Sequence, residues 1–206
     1  EKNEYLKNFE GELDIKNNKL FLGKINAILS NKNKFSYSFR TTNKNEKITN
    51  IFIERPKPFI NNYKFIKGFE EGELKLNSVK IDSVSRSNLK ITNFKVKEVP
   101  VLAKILTLAS LQGIADLLTG EGIRFDEFEM DFKNKDNITE IDEIYAIGPA
   151  ISIMMEGYIE KDMLTSLRGT LVPATTINKT ISKIPLIGNI LVGNKIGEGV
   201  FGVSFK

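Results

Sequence analysis

The sequence predicts a mainly β (α+β) fold: a curved antiparallel β-groove or sandwich-like sheet, with one long apolar helix and a short C-terminal helix. Three observations predict it. Apolar and polar residues alternate through most of the first hundred positions, turn-forming residues separate the alternating runs, and one block of about 20 residues loses the alternation altogether. The expected organisation is a single domain over 1–206, with a β-meander over 1–98, an apolar helix over 99–120 and further strands with a short helix over 121–206.

Leu13 and Ile15 open the alternation, and Leu20 to Leu29, Phe35-Tyr37-Phe39 and Ile48 to Ile53 continue it. Each run reads as a half-buried strand with side chains pointing alternately to two faces. Gly72 to Leu76, Val79 to Val84 and Leu89 to Val96 follow as three more. Leu89 and Ile91 share a parity that Phe94 and Val96 do not, and a β-bulge at Thr92 and Asn93 is the expected cause. Asn17-Asn18, Asn43 to Asn45 and Arg55-Pro56-Lys57-Pro58 supply the breaks, and the two prolines exclude a central strand there.

From Val99 to Leu118 apolar residues crowd every side of a helical wheel. Pro100 suits the first turn and Gly120 the stop. The block is long enough to cross a bilayer, but Lys104 and Asp116 would each cost about 2.5–3.5 kcal/mol near a helix centre, so burial against the sheet is the leading expectation, ahead of insertion at a membrane interface and of a transmembrane span. Strands resume over Ile123 to Lys133, with a second parity change near Asp126, then over Ile138 to Ile147, Ala150 to Ile159 and Met163 to Val172. Thr175 to Ser182 reads as the short helix, an apolar Ile184 to Gly193 stretch follows, and Val200 to Phe205 closes as a strand.

Composition removes several chemistries. There is no Cys and no His, so disulfides, thiolate or imidazole metal sites and Ser-His-Asp triads cannot form within these residues. The formal net charge of +4 is unevenly spread: 20 basic and 12 acidic residues precede Val99, and 10 basic and 14 acidic residues follow from there. The lysines are scattered through strands rather than clustered, which argues against nucleic acid and leaves either a solvated surface or attraction to anionic head groups. Asp126, Glu127, Glu129 and Asp131 cluster, but the last three share one face of a strand, opposite Phe128, Met130 and Phe132. They read as a solvated outer face and not as a metal or acid/base site. Gly120-Glu121-Gly122 and Gly193 to Gly199 lack a phosphate-binding order and read as turns. No enzyme and no cofactor are expected.

Val99-Pro100-Val101-Leu102-Ala103-Lys104-Ile105-Leu106-Thr107-Leu108-Ala109-Ser110-Leu111-Gln112-Gly113-Ile114, with Gly120-Glu121-Gly122-Ile123-Arg124-Phe125, resembles the C-terminal region of AsmA-like proteins of Gram-negative, especially alphaproteobacterial, envelopes. Gly148-Pro149-Ala150, Leu167 to Ala174 and Ile184-Pro185-Leu186-Ile187-Gly188 resemble the same region in the same order. The first hundred residues are similar only in style, through Gly68-Phe69 and Gly72-Glu73-Leu74.

The resemblance implies a periplasmic part of a protein anchored in the inner membrane, with a β-groove that carries phospholipid toward the outer membrane. It implies a non-enzymatic role in outer-membrane biogenesis. Acyl chains would lie on inward apolar side chains while head groups stay in water. The expected lipid-binding or membrane-contacting residues are Leu102, Ile105, Leu106, Leu108 and Leu111 on the helix, with Ile187, Ile190 and Leu191 as a second contact. The competing expectation is a structural module that docks an outer-membrane or other envelope protein partner without touching lipid.

Overall fold

The computed structural model describes residues 6–29, 32–60, 67–98, 122–149, 151–160, 164–173 and 201–205. Eleven strands form one antiparallel sheet in strict chain order: β1 (Leu6–Lys16), β2 (Lys19–Leu29), β3 (Lys34–Thr41), β4 (Lys47–Glu54), β5 (Lys67–Ile81), β6 (Val84–Glu98), β7 (Ile123–Lys135), β8 (Ile138–Ile147), β9 (Ile151–Glu160), β10 (Leu164–Pro173) and β11 (Phe201–Phe205). The expected meander is therefore present. The choice between a groove and a sandwich falls to a single sheet, since all described strands share it. A short helix, α1 (Lys57–Ile60), follows β4, where Pro56 and Pro58 cannot continue a ladder.

Local chemistry accounts for the hairpins. Asn17 and Asn18 both adopt positive φ, 50° and 60°, the conformation that a tight two-residue connection requires of both its residues, and Lys16 pairs with Lys19 across it. Val79 to Val84 is not one strand, as the alternation suggested. Asp82 takes a φ of 52° and Ile81 pairs with Val84, so Val79 to Ile81 end β5 and Val84 begins β6. Gly72 to Leu76 belongs to the same 15-residue β5.

The parity changes at Asn93 and Asp126 are real, but they are not bulges. A bulge adds a residue to one strand, whereas the pairings of Glu71 with Phe94 and Glu73 with Thr92 keep one register, as do those of Thr92 with Glu127 and Phe94 with Phe125. Three strands change parity together instead. Asn93, with a φ of 53°, sits between those pairs in register with Gly72 and with Asp126, and in β5 both Glu71 and Gly72 are left-handed, at 64° and 80°. Extra residues occur elsewhere, between Lys7 and Glu10 of β1, at Phe21 of β2 opposite Asp14 and Ile15, and around Asp142 of β8.

Because the switch is shared, the same face stays apolar on both sides of it. Phe69, Phe94, Val96, Ile123 and Phe125 are buried beyond the switch, and Ile91, Ala146, Ile151 and Leu171 complete the core with Ile60 of α1. Phe94 stacks on Phe69 at 5.3 Å and on Phe125 at 5.2 Å, and meets Phe128 edge-on. Such offset pairs add about 0.5–1.5 kcal/mol each beyond the area they bury.

The apolar helix expected over Val99 to Leu118 and the short helix expected over Thr175 to Ser182 lie outside the described residues. Among the described residues no helix is long and apolar enough to cross a membrane.

Candidate functional site

Pleating sends alternate side chains to opposite faces, and the register aligns those of neighbouring strands into rows. One row runs Ala27, Phe35, Ile53, Leu74 and Ile91 across β2 to β6, then Phe128, Ala146, Ile153 and Leu171 across β7 to β10. The next, two residues along each strand, runs Ile25, Tyr37, Ile51, Leu76 and Leu89, then Met130, Ile144 and Met155. Rows on one face stand about 6.8 Å apart. No charged residue interrupts either row, so eight neighbouring strands present one continuous apolar surface.

A sheet with one apolar face must bury it against another layer or a ligand. Among the described residues no second sheet does so. α1 covers part of one margin, with Phe59 stacked on Phe35 at 6.0 Å and Ile60 buried. Ile51, Leu76, Leu89, Phe128 and Met130 remain only half-buried. Toward β1 the face is open: Leu13 is 66% exposed and Ile15 64%.

The opposite face is mainly polar. Asn88 of β6 donates to Glu129 at 2.6 Å and to Asp131 at 2.9 Å. Lys90 lies 2.8 Å from Glu127 and 3.4 Å from Glu129, and the Tyr145 hydroxyl of β8 donates to both glutamates. Burial works to raise the Glu129 carboxyl, but donors from Tyr145 and Asn88 and the Lys90 ammonium outweigh it and hold it below its ordinary value. The Glu127 hydrogen bond raises Lys90, against its partial burial. Burial and the two carboxylates hold the Tyr145 hydroxyl protonated well above its ordinary range. Glu127 and Glu129 therefore both face a cation, and Asp131 accepts from an amide. Among the described residues no cluster could hold a metal ion, and the outer-face assignment of Glu127, Glu129 and Asp131 opposite Phe128, Met130 and Phe132 holds.

Leu102, Ile105, Leu106, Leu108, Leu111, Ile187, Ile190 and Leu191 all lie outside the described residues. The apolar surface that the structure does describe is built from strands alone. Its residues were legible as inward-facing positions, but their number in one row was not, because rows form only once register is set. No family model, curated protein or solved structure matches the chain.

Proposed function

We propose that this chain is a non-enzymatic lipid-handling module, a β-groove on which phospholipid acyl chains lie, and that it belongs to the AsmA-like type of periplasmic, inner-membrane-anchored envelope protein. What supports the reading is the uninterrupted apolar face across β2 to β10, lined by half-buried aliphatic and aromatic side chains and backed by a polar face. An apolar strip of this kind lowers the free energy of an acyl chain leaving a bilayer without any covalent step. Bulges such as the one at Asp142 bend and twist a sheet, and a curved sheet would wrap such chains as a groove. Transport between the inner and outer membranes, and thereby outer-membrane biogenesis, is the role this chemistry serves.

The test is native mass spectrometry of the chain purified from bacterial membranes, followed by lipid extraction. Phospholipid retained at a defined stoichiometry supports the groove. A folded chain that retains none supports the second reading, docking of an envelope protein partner. One observation favours that alternative: among the described residues β1 is a terminal strand of the sheet, 11 residues long, and exposed apolar side chains on such an edge invite pairing with a foreign strand.

A further inference from the structure

The apolar face ends in a defined way. One step beyond the Ile51–Leu76–Leu89 row, the central strands β4, β5 and β6 place Thr49, Ser78 and Ser87 side by side, and Ser87 donates to the Ser78 hydroxyl at 2.8 Å. One step further, Lys47 of β4 sits directly opposite Lys80 of β5 on the same face. Like charges in directly opposed positions destabilise a sheet, and the outer face shows how such a pair is relieved. There Lys75 opposes Lys90, and Lys90 is neutralised by Glu127 and Glu129.

Lys47 and Lys80 have no such relief. Their row continues through Thr41, Ser85, Asn134 and Thr139, without a carboxylate, and neither lysine forms an ion pair among the described residues. Glu46, next to Lys47 in the chain, is engaged with Thr42. Both lysines are exposed and open to an anion from solution.

The geometry points to a head-group site: Lys47 and Lys80 bind the phosphate of an anionic phospholipid, the hydroxyls of Ser78, Ser87 and Thr49 line the glycerol region, and the tails run over Leu76, Ile51 and Leu74. This inference rests on the lipid reading and adds orientation and head-group preference to it. The dimensions agree. Leu74 to Ser78 spans about 13 Å of strand, against about 15 Å for the hydrocarbon of one leaflet. A point charge such as a lysine ammonium accepts phosphate without demanding a fixed angle, which suits a lipid that slides.

The test compares binding of fluorescent phosphatidylglycerol and of diacylglycerol with identical acyl chains to the full chain and to a Lys47→Gln/Lys80→Gln variant. The wild type should favour phosphatidylglycerol by about thirtyfold, the effect expected of two lysines near an anionic head group. In the variant that preference should vanish while diacylglycerol binding is unchanged. Equal binding of both lipids by the wild type overturns the head-group site and leaves the groove standing. Binding of neither lipid overturns the groove itself, and saturation of such a protein by inorganic phosphate alone assigns the lysines to a free anion instead. Without lipid, the variant should unfold at a higher urea concentration than the wild type, and a lower midpoint would contradict the uncompensated repulsion on which the site depends.

Discussion

Gly72 of β5 and Asn93 of β6 lie between the pairs Glu71–Phe94 and Glu73–Thr92, with left-handed backbones at φ 80° and 53°. Glu71, beside Gly72, is left-handed as well, at 64°, and the pairings on either side of these residues keep one register through the parity change. A Cβ at Gly72 would stand 2.9 Å from the Phe94 Cβ and 3.2 Å from the Thr92 carbonyl oxygen.

Gly72→Ala is therefore expected to destabilise the fold by about 1–3 kcal/mol, through positive-φ strain and contact with fixed atoms. Asn93→Gly, which keeps the conformation available, should change stability by no more than a few tenths of that. Urea unfolding of the two variants checks the contrast, and equal effects would mean that the shared switch is not under steric control.

Phe94 joins Phe69 to Phe125, and all three are buried. Phe94→Ala should cost about 3–5 kcal/mol by opening a cavity between two stacked rings. Phe94→Leu, which fills most of the volume, should cost appreciably less. Thermal or urea denaturation followed by circular dichroism reads both.

The outer-face cluster gives the stability a pH dependence. The folded Glu129 carboxyl titrates below its ordinary value of 4.5, so its contribution is complete above that value and disappears as the pH falls through the folded one. Lys90 is raised above 10.5, so its contribution is complete below 10.5 and is lost as the pH rises through the folded value. Tyr145→Phe removes one donor from Glu129 and should move the acid limb toward higher pH, with a loss of about 1 kcal/mol near neutrality. Unfolding midpoints measured across the acid range check the direction.

Leu76 is half-buried on the proposed lipid path, whereas Ile91 on the neighbouring strand is buried. Leu76→Gln should lower lipid retention severalfold at a stability cost of about 1 kcal/mol. Ile91→Gln buries an unpaired amide and should cost several times as much. Retention of lipid by a folded Leu76→Gln variant at wild-type stoichiometry would remove this face from the path.

Much of the sheet was legible because its signals are local. Phe35, Tyr37 and Phe39 alternate with polar residues as a pleat requires, Asn17-Asn18 tolerates the turn it makes, and the parity changes at Asn93 and Asp126 can be read from apolar residues alone. What misled was equally local. Val79 to Val84 reads as one apolar-polar run across a hairpin tip, because Asp82-Ser83 carries neither glycine nor asparagine to announce it, and the change of parity from Ile81 to Val84 was the signal overlooked. The parity change in β5, from Phe69 to Leu74, was missed for lack of apolar residues beside Gly72.

The amino-acid sequence by itself determined that the chain forms half-buried strands with an apolar and a polar side, and that imidazole and thiolate chemistry is absent from these residues. Only the tertiary structure decided that the strands share one sheet in chain order, that Phe69, Phe94 and Phe125 stack, and that Lys47 meets Lys80. The physical reason is that alternation follows from the pleat of a single strand, whereas cross-strand neighbours depend on hydrogen-bond register accumulated over every hairpin between them.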